Sequence, residues 1–289
     1  MSKTLDAIRN YSSNPDAIVE AGEVVDIRFP SGASLSLRGA KLFHLLVQAA
    51  GVSVADAKQH RMSFAALNET FHVSVADLES LVDELHRTIL KIRLTDEHGR
   101  AFLKSGPILS DVEREDENLP QAELRFEFSS AMRKAVENST HWAVISRKAV
   151  LAFESKYALR LYTVLSLRAG LRKASEDFLL DDLRSLLGVT GTYDRWDNLN
   201  QWVLRPALAE INQLAGFVVG YTPLRSGRKI VSVRFTWGQK DPTARVQALK
   251  ELEASKVGRK ARREGQVELI AQAERIERQE IALALSKLV

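Results

Sequence analysis

One order of elements occurs twice in this 289-residue chain, and it constrains the fold more than any single motif. Leu42, Leu45, Leu46 and Ala49 fall at i, i+3, i+4 and i+7, which predicts a helix with one buried stripe. Ser36 is placed to cap it and Gly51 to close it. A second helix is predicted around Phe64, Leu67 and Phe71. After a turn over 72–74, a third carries Leu78, Leu81, Val82, Leu85 and Ile89, opened by Ser74 and Asp77 as a capping pair. Residues 92–94 and 101–103 then flank Glu97-His98-Gly99-Arg100, the pattern of a β-hairpin, and 123–128 reads as a further strand. The order returns in the second half. A helix over 156–169 carries Tyr157, Leu161, Val164 and Leu165 on one face and ends at Gly170. A short helix capped by Asp181 ends at Gly188. A long helix starts near Trp196 and reaches Asn212. Alternating strands over 217–221 and 230–237 enclose a basic turn, 224–229.

Three helices followed by a hairpin, twice, predict an α+β, mainly helical chain of tandem winged-helix domains with a helical C-terminal extension. The boundaries expected are an unperiodic, loosely packed arm over 1–24, a first domain over 25–138 opening on a strand at 25–29, a linker at 138–141, a second domain over 142–240 and a charged tail over 241–289. The basic run Lys256, Arg259, Lys260, Arg262 and Arg263 in that tail reads as a solvated linker, with contact to DNA flanks as the alternative. Beyond Val267, Glu274 and Arg278 form a helix-supporting i, i+4 pair, and Ile270, Ile276, Ile281, Leu285 and Leu288 offer apolar surface to a partner or to the chain itself.

Composition removes several function classes. With 45% apolar and 27% charged residues the chain has material for two cores, and no stretch approaches the ~18 apolar residues of a membrane span. Residues 1–10 hold no apolar run, so no secretory leader is predicted. There is no cysteine for disulfides or thiolate metal sites. No Gly-Lys-Ser/Thr phosphate loop is present, and the six histidines include neither a His-x-His pair nor helical zinc spacing. No catalytic residue, cofactor or metal is therefore predicted. The net charge of +4 is uneven: −5 over 1–140, +7 over 141–240 and +2 over 241–289. A basic excess confined to about a hundred residues suits nucleic acid or is simply a basic solvated surface.

The long helix separates these readings. At about 100° per residue, Leu199, Val203, Ala207 and Ile211 group on one side, and Arg195, Asn198, Gln201, Trp202 and Arg205 on the other. Arg195, Asn198, Gln201 and Arg205 are candidates for reading base edges, because Arg bonds guanine and Asn or Gln bonds adenine bidentately in the major groove. A plain solvent-facing stripe is the alternative, but most such stripes carry acids, and here Asp194 and Asp197 stand only at the start and Glu210 toward the end. Tyr193, Arg225, Arg228 and Lys229 are candidates for the DNA backbone, the last three around Gly227, which permits the positive φ of a tight hairpin tip. Asp77, Glu79, Asp83 and Glu84, against Arg87 alone, make the third helix of the first domain a poor match for phosphate, leaving Arg93, Arg100 or Lys104 for backbone contacts there.

The segments 156–162 (KYALRLY), 183–189 (LRSLLGV), 203–212 (VLRPALAEIN) and 227–231 (GRKIV) resemble the iteron-binding plasmid replication initiators in order and spacing, including Pro206 inside the third helix, which is expected to kink or open it. The close resemblance covers about 142–237. It implies a bacterial, cytoplasmic, plasmid-associated protein without a nucleotide cofactor. Monomers would bind directly repeated origin sites, help melt the duplex and recruit the host replication initiator and helicase. A homodimer in equilibrium with the monomer would repress its own gene on an inverted repeat, with the first domain as dimer interface. The alternatives are a winged-helix repressor without initiator activity and a nucleic-acid nicking enzyme.

Overall fold

The computed structural model describes residues 2–29, 34–71, 74–95, 98–115, 122–170 and 173–265. The chain opens on α1 (Lys3–Tyr11), β1 (Ala17–Ala21) and α2 (Gly22–Val25). This corrects both the loose arm and the strand at 25–29. Thr4, Ala7 and Ile8 are buried, and the Ser2 hydroxyl donates to the Val136 carbonyl at 2.7 Å. A five-residue strand buried on both faces has no alternation to reveal it, and its antiparallel partner lies far along the chain.

The first half continues with α3 (Leu37–Ala50), β2 (His60–Ser63), α4 (Phe64–Phe71), α5 (Val75–Arg87), β3 (Ile89–Thr95), β4 (Ala101–Pro107), β5 (Leu109–Arg114), β6 (Glu123–Phe128) and α6 (Ser130–Glu137). Ser36 and Ser74 cap α3 and α5 by accepting from the amides of Gly39 and Asp77, as their positions predict. Ile89 leaves the helical stripe, because Thr88 turns extended and Ile89 starts β3. The hairpin β3–β4 pairs Ile89 with Pro107 through Thr95 with Ala101, and β2-β6-β5 form a second sheet. The predicted turn residues 72–73, the hairpin tip at 96–97, the Arg93 side chain and the tail from Val267 onward lie outside the described residues.

The second half contains β7 (Trp142–Ser146), α7 (Arg147–Ala152), α8 (Lys156–Ala169), β8 (Ser175–Leu179) and α9 (Leu180–Leu187). Asp181 lies in the first turn of α9 and does not cap it: Leu179 holds the cap position, without a side-chain bond. Then come α10 (Trp196–Leu199), a π-helical turn over Asn200–Leu204, α11 (Arg205–Leu214), β9 (Phe217–Ser226), β10 (Lys229–Gln239), α12 (Pro242–Glu253) and α13 (Arg259–Arg263).

The halves share one continuous core. β1 pairs with β7, Ala17 opposite Ser146 through Ala21 opposite Trp142. The predicted linker is a packed corner: Ser139 is buried, and the His141 carbonyl accepts from the Gly22 amide at 2.9 Å. Arg168 of α8 forks onto Asp26 at 2.8 and 2.9 Å and reaches Glu176 at 3.1 Å. Lys41 of α3 donates to the carbonyls of Leu151 and Phe153, and burial pulls its pKa down to about 8.

The basic run of the tail is solvated only at Lys256 and Lys260; its three arginines are held by the fold. Arg259 is 1% exposed; it donates to the carbonyls of Ala152 and Ala254 and pairs with Glu251 at 3.0 Å. Arg262 pairs with the same carboxylate at 2.6 Å, and Arg263 donates to Gln213 of α11. A run of cations reads as solvated until a single acid and a few carbonyls, distant in sequence, are brought beneath it.

Candidate nucleic-acid interface

The site is assembled around the stretch α10–π-turn–α11. Gly188 ends α9 at φ 65, the left-handed conformation that lets a Cβ-free residue close a helix. Arg184 then reaches across the connection: Nε donates to the Tyr193 carbonyl at 3.2 Å and a terminal nitrogen to that of Asp194 at 2.6 Å. Those bonds fix where the next helix begins. Sequence reasoning assigned Arg184 no role, since nothing local says which carbonyls it meets.

The predicted long helix exists as three joined pieces, and Pro206 supplies the reason. It has no amide proton for the Trp202 carbonyl, and its ring crowds that carbonyl. The helix widens instead of breaking: the Arg205 amide donates to the Asn200 carbonyl, five residues back. Leu199, Val203, Leu204, Ala207, Leu208 and Ile211 are buried against the core. Three bonds to β9 seat the helix: the Tyr221 hydroxyl donates to Asn200 at 2.5 Å, and the Asn212 side chain exchanges two bonds with Val219 at 2.7 and 2.8 Å.

Arg195, Asn198, Gln201 and Arg205 are all brought to the exposed face, together with Trp202, 61% exposed. Arg195 stands 3.9 Å from Asp197 with both side chains largely in solvent, a pairing worth little. Arg205 has no ion pair among the described residues. Glu210, the acid farther along, turns inward: it is 2% exposed and accepts from the Glu154 amide, and burial raises its pKa above the ordinary carboxylate range. The exposed side of this helix is therefore free of acid beyond Asp197.

The adjoining hairpin is longer than its sequence reading. Ser226 pairs with Lys229, so the turn is Gly227-Arg228 alone, with Gly227 at φ 59. Pro223 hid the end of β9, but β9 is the edge strand in the order β8-β10-β9, where a missing amide donor is tolerated. Arg225, Arg228 and Lys229 are exposed around the tip. β8, unread in the sequence, holds the other side of β10, and Arg234 forks onto Asp177 at 2.6 and 2.8 Å to join them. Tyr193 stands apart from the other candidates. It is half-buried and edge-on to Tyr157, at 6.4 Å between ring centroids.

In the first half, the acids of α5 are engaged within the fold. Asp77 pairs with Arg38 at 3.1 Å, Glu79 with Arg114 at 3.3 Å and Asp83 with Arg87 at 2.5 Å, while Glu84 accepts from the Ser36 hydroxyl at 2.7 Å. Arg100 is exposed and Lys104 half-buried on the hairpin. Among the described residues no helix is long and apolar enough to cross a membrane.

Comparison with known proteins agrees with this architecture. The family model "Initiator Replication protein, WH1" matches residues 18–166, and "Initiator Rep protein, WH2" matches residues 179–237. Among solved structures, the fold is similar to that of Pi initiator protein in complex with iteron DNA. The identity is 16% and the TM-score 0.57, covering 78% of this chain and 98% of that one. Domains 2 and 3 of RctB align more weakly, at 12% identity and a TM-score of 0.43 over 71% of this chain and 82% of that one. No curated protein matches the sequence. The first family model alone spans more than half of the chain, which thus belongs to the initiator replication proteins, a family of non-enzymatic DNA-binding proteins with two winged helices, WH1 and WH2.

Proposed function

We propose that this chain initiates plasmid replication by binding directly repeated origin sites, iterons, as a monomer, promoting melting of the origin and recruiting the host replication initiator and helicase. As a homodimer it represses its own gene on an inverted repeat. The second winged helix, over 142–240, reads the sequence: Arg195 and Arg205 address guanine, Asn198 and Gln201 adenine, and Arg225, Arg228, Lys229 and Tyr193 the phosphates. The first, over 25–138, supplies the subunit interface and further backbone contacts. The observation that carries this reading is the exposed helix face without acid beyond Asp197, set beside a hairpin whose tip cations are exposed and make no ion pair among the described residues.

A C₂ dimer sets its two reading helices in opposite orientations, which suits an inverted repeat; copies on direct repeats all point one way, so the dimer must come apart or rearrange. Sedimentation of the free protein, and of its complexes on a direct-repeat and an inverted-repeat duplex, tests this. Monomers on each direct repeat and a dimer on the inverted repeat are expected. One stoichiometry per site on both DNAs would sink the switch.

A further inference from the structure

Trp202 has no structural employment. It is 61% exposed, the indole N–H meets no acceptor among the described residues, and the helix is held to the core by the opposite face. A single exposed apolar residue is ordinary, but this one is not alone on neutral ground. Its neighbours along the face are Asn198, Gln201 and Arg205, all exposed, and it occupies the middle of the π-turn that Pro206 imposes. The cations at the tip of the adjoining hairpin complement the charge of a duplex.

We propose that Trp202 is a specificity-determining residue whose indole packs on the 5-methyl group of a thymine in the major groove. The inference rests on the reading of α10–α11 as the DNA-reading helix. The thymine methyl is the apolar feature that the major groove presents, and it distinguishes thymine from the other bases there. An indole offers a broad apolar surface and a single donor, with no acceptor for an exocyclic amine, so apolar contact is what Trp202 adds to a face otherwise made of hydrogen-bonding side chains.

The test uses the full chain and a duplex selected by it from a randomised pool. Each thymine of that duplex is replaced in turn by uracil, which removes the methyl and leaves every hydrogen-bonding group in place. Wild-type protein is expected to lose about fourfold in affinity at one position, the effect of uncovering one methyl group. Trp202→Ala is expected to lose at least as much on the thymine duplex and to be indifferent to uracil at that same position. Trp202→Phe, which keeps an apolar face, retains part of the discrimination. Because the side chain is exposed, the variant's unfolding midpoint is expected to match the wild type; if it falls, the Phe variant carries the test. Equal sensitivity of wild type and variant to uracil at every thymine overturns the proposal, as does a Trp202→Ala protein that binds normally or loses affinity only through a changed association state. Arg205→Ala on the same duplexes keeps the two readings apart. If Arg205→Ala discriminates the selected duplex from random sequence as well as the wild type does, the helix does not read DNA; if it loses discrimination while Trp202→Ala keeps the wild-type response to uracil, only the thymine contact falls.

Discussion

The two winged helices share an order of elements and differ in what their third helices leave unused. In the first, Asp77, Glu79, Asp83 and Glu84 of α5 are bound to Arg38, Arg114, Arg87 and Ser36. In the second, the polar groups turned outward from α10–α11 have almost nothing to bind among the described residues, and its one later acid, Glu210, is buried. The tail completes the contrast. Its run over 256–263 holds five cations, yet Arg259 and Arg262 are consumed by Glu251, and Arg263 by Gln213. On the proposed reading, a DNA-facing surface is marked less by the number of cations in a segment than by whether the fold leaves them without partners, since an arginine already bound to a carboxylate must break that pairing to meet a phosphate.

The tail gives the largest expected effect and the sharpest way to break the comparison. Replacing Arg259 by Ala leaves the Glu251 carboxylate and the carbonyls of Ala152, Glu251 and Ala254 short of their buried partner, and is expected to destabilise the protein by about 3–5 kcal/mol, read as a lower urea midpoint at unchanged slope. Arg259→Lys, with the charge but not the fork, falls between. The salt dependence of DNA binding by the folded fraction stays as in the wild type. Unchanged stability together with a salt slope reduced by about one unit would return the tail to the DNA surface and undo the contrast.

Next comes the face that the fold leaves open. Arg205→Ala is expected to weaken specific binding by about 1–3 kcal/mol and random-sequence binding much less. Arg228→Ala, at the hairpin tip, is expected to weaken both alike and to reduce the salt slope by about one unit. Titrations of each variant on specific and random duplexes over a range of salt concentrations distinguish them. Should both variants behave alike, the helix and the hairpin would not divide reading from positioning.

The legibility of the fold follows the same division between local and distant partners. Helices α3, α4, α5 and α8, with the caps Ser36 and Ser74, were readable because periodicity and capping act within a few residues. The exposed face of α10–α11 was readable for the same reason, and Pro206 announced a disturbance though not its π-turn form. β1, β8 and the packed corner at 138–141 were not readable, since each is defined by a partner elsewhere in the chain, as Ala17–Ala21 is by Trp142–Ser146. Arg184, Arg259 and Arg168 look alike in sequence to Arg205. Only the carbonyls and carboxylates brought to them by the fold tell a positioning or structural arginine from an open one.

The smallest expected effect is the most direct check on the first winged helix. If α5 stands away from DNA, its charges act on the duplex only through solvent, and beyond a Debye length of about 8 Å at physiological salt they are screened. Glu79→Gln with Asp83→Asn removes two negative charges and two exposed ion pairs, to Arg114 and Arg87. Such pairs contribute little, so the stability loss is expected to stay below about 1 kcal/mol. Affinity for the selected duplex is expected to stay within about twofold of wild type, with the salt slope unchanged. An α5 lying against the backbone behaves otherwise: two acids removed from beside phosphates would tighten binding by a tenfold or larger factor and steepen the slope. That outcome would place both third helices on DNA, and the difference between the two halves would then be one of sequence reading alone, not of which half meets the duplex.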